Sequence, residues 1–188
     1  MKAKLHPMFE QVSGQMGEMV YRVVRGKVVI SRKPVIKAEP TQGQLEHRER
    51  FKQAVAYGKA VMSAEDSREL YEAAAKERDM PVFALMVADY FNAPSISKID
   101  LSAYDGHAGN IIHITASDDF SIASLHVSIT NDQGNPIEDA EAVETPSGSG
   151  NWVYTANASV TPGTSVNVQA VATDRPGGTA VASESKSF

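Results

Sequence analysis

From Asn110 onward the chain alternates with a period of two. Ile112, Ile114 and Ala116 alternate with His113 and Thr115. Leu125, Val127 and Ile129 alternate with His126, Ser128 and Thr130, and Val166, Val168, Ala170 and Ala172 with Asn167, Gln169 and Thr173. Successive strand residues point to opposite faces, so each segment has one face to bury and one to leave in water. Such faces are satisfied by stacking sheet on sheet. Turn clusters punctuate the pattern at Asp105-Gly106-His107-Ala108-Gly109, Asn131-Asp132-Gln133-Gly134-Asn135-Pro136, Thr161-Pro162-Gly163 and Arg175-Pro176-Gly177-Gly178. About seven short strands with a turn every 8–12 residues is the spacing of a two-sheet sandwich. Residues 95–188 are therefore expected to form a β-sandwich.

Upstream the period changes to that of a helix. Thr41-Gln42-Gly43-Gln44 fits a capping box, in which hydroxyl and amide close the first turn's free N–H groups. Phe51, Ala54, Val55, Gly58, Val61 and Met62 recur on one helical stripe. Ser63-Ala64-Glu65-Asp66 reads as a second cap, opening a helix through Leu70, Tyr71 and Ala74. Pro81 begins a third, at a position where its missing N–H costs nothing, with Phe83, Met86, Val87, Tyr90 and Phe91 as its buried side. Asn92-Ala93-Pro94 closes it. Residues 41–94 are thus a helical segment.

Residues 1–40 form an arm. Met19-Val20-Tyr21-Arg22-Val23-Val24 and Lys27-Val28-Val29-Ile30-Ser31 are rich in β-branched residues, and Arg25-Gly26 between them supplies a hairpin turn. Pro34 ends the second strand because it cannot donate to a ladder. Met19, Tyr21 and Val23 fall on one face, Val20 and Val24 on the other. A lone hairpin is marginal in water, so this one must rest on the helices or on another molecule. The expected fold class is α+β: a β-hairpin arm, a short helical segment, and then the sandwich.

Charge is divided along the chain. Residues 1–60 hold 12 Lys/Arg against 5 Asp/Glu, residues 61–94 hold 3 against 7, and residues 95–188 hold 3 against 11. Such asymmetry fits equally a basic arm for nucleic acid and the basic end of one copy meeting the acidic end of the next. With no cysteine in the chain, disulfides, thiolate nucleophiles and cysteine-ligated zinc are excluded. As written, the chain has no Sec-type apolar leader and no run long enough to span a membrane. That points to the cytoplasm or to leaderless export.

The stretches Ile112-His113-Ile114-Thr115-Ala116-Ser117-Asp118-Asp119, Trp152-Val153-Tyr154 and Val168-Gln169-Ala170-Val171-Ala172-Thr173-Asp174 resemble bacterial immunoglobulin-like repeats of adhesins and cell-surface proteins. The resemblance implies an immunoglobulin-like sandwich for the C-terminal half and names no ligand. The first half is similar to a group of uncharacterised bacterial proteins. They share a Gly-x-x-x-x-Tyr/Phe hairpin, an Arg-Lys-Pro-like exit and a Thr-x-x-Gln-x-x-x-Arg-x-x-Phe helix start. Here these are Gly17 to Tyr21 (one residue tighter), Arg32-Lys33-Pro34 and Thr41 to Phe51. That similarity implies no catalytic residue.

Candidate sites are few. The five histidines, His6, His47, His107, His113 and His126, lack the spacing of a helical metal site. His113 and His126 read as outward-facing polar residues on neighbouring strands. Asp118, Asp119 and Asp174 fall in loops at one end of a sandwich and together would suit Ca²⁺, although Arg175 offers those loops an ion pair instead. No cofactor is expected. Gly-x-Ser-x-Gly, Gly-x-Gly-x-x-Gly and Walker-type sequences are absent, so no enzyme and no small-molecule substrate is expected.

The arm carries the expected function. It is basic, too small to own a core, and suited to adding strands to a neighbour's sheet edge. A head-to-tail contact of this kind gives a ring or an open filament. The expected contact strip is Val20, Tyr21, Val23, Val28 and Ile30, with Arg22, Arg25 and Lys27 setting polarity. The expectation is a self-assembling homo-oligomer. Two alternatives stand beside it: nucleic-acid binding by the basic hairpin, against an overall pI of about 5.5, and a monomeric glycan- or protein-binding module using the sandwich loops.

Overall fold

The structure, a computed structural model, describes residues 13–24, 26–35 and 39–188. The chain divides into two compact units, Met1–Leu45 and Glu46–Phe188.

In the first unit, β1 (Gly14–Met16), β2 (Met19–Val24) and β3 (Lys27–Arg32) form an antiparallel sheet in that order. The arm is thus three-stranded rather than the expected two-stranded hairpin. The extra strand is too short, and too poor in β-branched residues, to be read from its composition. Its turn is legible afterwards: Met16 pairs with Met19 across Gly17-Glu18, and Gly17 takes φ 59°, a left-handed conformation that glycine adopts at no steric cost. The β2–β3 turn contains Gly26 at φ 72°; Arg25 lies outside the described residues.

The helices are α1 (Gln42–Ser63), α2 (Glu65–Glu77) and α3 (Val82–Phe91). The capping box at the start of α1 forms in both directions. Gln44 N donates to Thr41 Oγ1 at 3.4 Å and Thr41 N to Gln44 Oε1 at 3.1 Å. Ser63 is no cap for α2; its hydroxyl donates back to the Lys59 carbonyl at 2.9 Å. Pro81 occupies the N-cap of α3, its carbonyl accepting from Ala84 and Leu85.

The buried stripes are narrower than the apolar patterns. α1 buries Ala54, Gly58 and Val61, leaving Phe51 and Met62 exposed. α2 buries Tyr71 and Ala75, and α3 buries Leu85, Met86 and Asp89 while Phe83 stays exposed. Gly58 is small for a reason: a Cβ there would meet Phe83 Cε2 at 3.0 Å. Val61, Tyr71, Ala75, Leu85 and Met86 form the helical core.

The sandwich has two antiparallel four-stranded sheets. One runs β4 (Ser95–Asp100), β5 (Ile111–Ser117), β9 (Asn151–Thr155), β8 (Val143–Glu144). The other runs β11 (Thr179–Ser187), β10 (Ser165–Asp174), β6 (Ile122–Asn131), β7 (Pro136–Glu141). The inward residues are those the alternation selects: Ile112, Ile114 and Ala116 face Leu125, Val127, Ile129, Val166, Val168, Ala170 and Ala172 across the core. Tyr104, Trp152 and Tyr154 fill its remaining width.

The helical core continues into the sandwich through one side chain. Phe120, on the β5–β6 loop, stacks on Tyr71 with ring centroids 3.9 Å apart and 19° between planes. Asp118 Oδ2 accepts the Phe120 amide at 3.0 Å and so holds that loop in a turn. Next to it, Arg78 donates to the Asp119 carbonyl and Asn92 to the Asp119 carboxylate.

Candidate functional site

Residues opposite one another on paired strands share a face. The register Met19↔Arg32, Tyr21↔Ile30, Val23↔Val28, with Met16↔Met19 on β1, places Met16, Met19, Tyr21, Val23, Val28 and Ile30 on one face of the arm. Arg32 is its single charge. The other face carries Gln15, Val20, Arg22, Val24, Lys27, Val29 and Ser31, and there Arg22 Nη2 reaches Ser31 Oγ at 3.5 Å.

The expected contact strip therefore divides. Tyr21, Val23, Val28 and Ile30 come together on the apolar face, joined by Met16 and Met19, which the sequence reading of the strip left out. Val20, Arg22 and Lys27 lie on the reverse. Arg25 lies outside the described residues.

No described residue of this sheet is buried. Met16 is 71% exposed, Val23 45%, Met19 44% and Ile30 43%. Both core clusters among the described residues lie in the other unit. Among its described residues the arm thus offers an apolar face without a core cluster of its own.

β3 is an edge strand, flanked by Lys27, Arg32 and Lys33. In the sandwich, β7 is also an edge strand, and it is acidic, with Glu138, Asp139 and Glu141 and then Glu144 on β8. No Lys or Arg occurs between Lys98 and Arg175. Glu141 is exposed. Asp139 pairs with His126, and Glu138 Oε2 takes the Asn157 and Ala158 amides at 2.7 and 3.2 Å.

The expected Asp118–Asp119–Asp174 grouping does not assemble as three. The Asp119 carboxylate turns to Asn92, and Asp174 Oδ1 accepts the Gly178 amide. The third carboxyl beside Asp118 and Asp174 is Asp89 of α3, which both of them influence. Among the described residues no three His, Cys, Asp or Glu side chains are placed to hold a metal. His113 and His126 lie on different sheets, and His107 pairs with Asp105 at 3.0 Å.

The sequence pattern does not single out Asp89, because Tyr90 and Phe91 beside it read as core. It is fully buried. Tyr57 Oη lies 2.7 Å from Tyr71 Oη, and Tyr71 donates to Asp89 Oδ2, so one hydrogen-bonded chain crosses all three helices. Burial first, then the Asp118 and Asp174 carboxyls, push the Asp89 carboxyl up to about 7, against the Tyr71 hydrogen bond, which lowers it. Burial likewise raises Tyr71, Tyr57 and Asp174.

An open cleft of about 510 Å³ lies between α1, α3 and the β10–β11 loop, lined by Glu49, Arg50, Gln53, Tyr90, Gly177 and Gly178 among others. Arg50 is committed there, donating to the Phe91 carbonyl at 2.9 Å with its guanidinium 4.9 Å from the Phe91 ring centre.

No family model and no curated protein matches the chain. The resemblances of its two halves are therefore assigned to no family. Two solved structures are similar to it at low identity. CopC from Methylosinus trichosporium OB3b shares 15% identity over 49% of this chain and 89% of that one, with a TM-score of 0.38. A bromine derivative of BhCBM56 shares 11% over 52% of this chain and 91% of that one, with a TM-score of 0.33. The sandwich rests on the sheets themselves, and the chemistry of the site on its residues. Among the described residues no helix is long and apolar enough to cross a membrane.

Proposed function

We propose that this chain is a non-enzymatic structural subunit that joins copies of itself through its N-terminal sheet. The observation that carries this reading is the apolar face of Met16, Met19, Tyr21, Val23, Val28 and Ile30, none of it buried. Apolar surface so concentrated on one side of a sheet marks a contact.

The occupant is a second copy, on grounds of charge. Lys27, Arg32 and Lys33 flank an edge strand, and the β7–β8 edge of the sandwich carries carboxylates alone. Complementary edges of this kind favour strand addition in one direction and disfavour pairing of like edges. Sheet and sandwich edge are different surfaces, so the contact is heterologous and propagates into a ring or a filament. Tyr21, Val23, Val28 and Ile30 form the seat, and Arg22, Arg25 and Lys27 set the polarity of approach.

Sedimentation and light scattering of the full-length chain over a range of concentration and salt test the reading. Mass should rise with concentration and fall as salt screens the charged edges. A species that stays at 20.2 kDa under every condition would overturn it.

A further inference from the structure

The three-helix hydrogen-bonded chain ends at a junction that lacks a donor. Tyr71 gives its proton to Asp89 Oδ2, so its oxygen accepts from Tyr57. Asp89 Oδ1 is buried and has no donor. Across the seam, Asp118 spends Oδ2 on the Phe120 amide, and its Oδ1 is also buried without a donor. The Tyr71 ring stacks on Phe120, whose amide Asp118 holds, while the Tyr71 hydroxyl holds Asp89, so the two carboxyls stand on either side of one aromatic pair, and the Asp118 side chain acts on Asp89.

Among the described residues, the other groups that act on this junction are committed or repulsive. Asp174 adds negative charge and takes the Gly178 amide. Arg175 donates to Ser121 Oγ at 3.1 Å and lies over the Phe120 ring at 5.9 Å. Tyr57 and Tyr71 are engaged with one another and with Asp89. Two ionised carboxylates in buried contact repel, and two carboxyls hydrogen-bond only when one carries a proton.

We propose that Asp89 and Asp118 share one proton across the seam between α3 and the β5–β6 loop, and that this proton is a clasp that holds the helices to the sandwich. The chain of donors is then complete: Tyr57 to Tyr71, Tyr71 to Asp89, and the shared proton between Asp89 and Asp118. It links α1, α2, α3 and the sandwich in one line beside the Tyr71–Phe120 stack. When the proton leaves, the seam holds two buried negative charges beside Asp174, and the helical segment loosens. The raised Asp89 titration, near 7, puts that release close to neutrality. The clasp is independent of the self-assembly reading, because it lies wholly within Glu46–Phe188.

The test uses the full-length chain with selective ¹³C labelling of aspartate carboxyls, followed through a pH titration. A buried aspartate carboxyl should titrate near neutrality and be lost from the spectrum of Asp89→Asn. Thermal midpoints then test the linkage. A group raised in the folded state stabilises fully below its unfolded value and loses that contribution as pH rises through the folded one. Wild type should lose about tenfold in folding constant per pH unit between about pH 4 and about pH 7 relative to Asp89→Asn. In Asp118→Asn the new amide donates to Asp89 Oδ1, so the carboxyl titration should move downward. Ordinary titration of every aspartate in wild type would overturn the clasp without recourse to any variant. So would a rise in thermal midpoint at about pH 8 on adding Ca²⁺ or Mg²⁺ that Asp118→Asn abolishes, which would assign the site to a cation.

Discussion

Ile30→Lys and Val29→Lys make the sharpest test of the sheet face. The two residues are neighbours on edge strand β3, similarly open at 43% and 40% exposed, but the register puts Ile30 on the apolar face opposite Tyr21 and Val29 on the reverse opposite Arg22. Full burial of such a side chain is worth about 1.5–3 kcal/mol, so closing the open part of Ile30 contributes about 1 kcal/mol. A lysine there also sets a charge among Tyr21, Val23 and Val28, and although its stem can snorkel outward it adds a desolvation cost of roughly 1 kcal/mol. Ile30→Lys should therefore weaken association by about 2 kcal/mol, about 30-fold in dissociation constant. Val29→Lys adds the same charge to the same strand on the face away from the apolar seat, so its effect should stay within about threefold.

The open area of the whole face bounds what one proposed contact could contribute. Met16, Met19, Val23 and Ile30 together leave about two side chains' worth of apolar surface open, or about 3–6 kcal/mol. Association alone costs about 4–15 kcal/mol. A single sheet-to-sheet contact would be weak, and edge hydrogen bonds or many linked contacts must supply the rest. Sedimentation velocity on both variants decides. Equal effects of the two substitutions, or a wild-type dissociation constant retained by Ile30→Lys, would refute the face assignment.

Two further substitutions probe the second unit. Tyr71→Phe removes the hydroxyl that serves both Tyr57 and Asp89; urea unfolding should show a loss of about 1–3 kcal/mol, larger above about pH 7, where the lost bond is to a charged carboxylate. Gly150→Ala should cost more than Gly134→Ala in the same assay. Both positions have positive φ, 73° and 79°, but a Cβ at Gly150 meets the Ala116 carbonyl oxygen at 2.6 Å while the space at Gly134 is open; the common backbone strain is about 1–2 kcal/mol, and the clash adds to Gly150 alone.

The sandwich was legible because its strands obey a strict alternation, and burial follows that alternation residue by residue at Ile112, Leu125 and Val168. Helix ends bounded by local chemistry were legible too, as at Thr41–Gln44 and Pro81. The rotation of each helix was not. On α3 the apolar residues run nearly all round, so the pattern gives no unique face, and docking against α2 and the sandwich turned Leu85 and Asp89 inward and Phe83 outward. Asp89 is the consequence. Its role depends on Tyr71, eighteen residues away in sequence, and on Asp118 in another layer, and no local pattern encodes such a meeting. Strand β1 was hidden for a different reason: with three residues and a glycine, its pairing is set by β2.

Clasp and sheet contact respond to pH in opposite directions, and this separates them experimentally. The clasp holds its proton in acid and loses it as pH rises through neutrality. The electrostatic part of self-association needs the carboxylates of residues 95–188 ionised, since those residues hold 11 Asp/Glu against 3 Lys/Arg. It therefore strengthens as pH rises through the carboxylate range, about 4, and salt screens it. The buried seam is screened much less. At about pH 4 the helices should be held most firmly while the chain associates least; near neutral pH the order reverses. If association instead tracked the Asp89 titration and ignored salt, one device would be driving both behaviours, and the basic sheet would have no separate part in assembly.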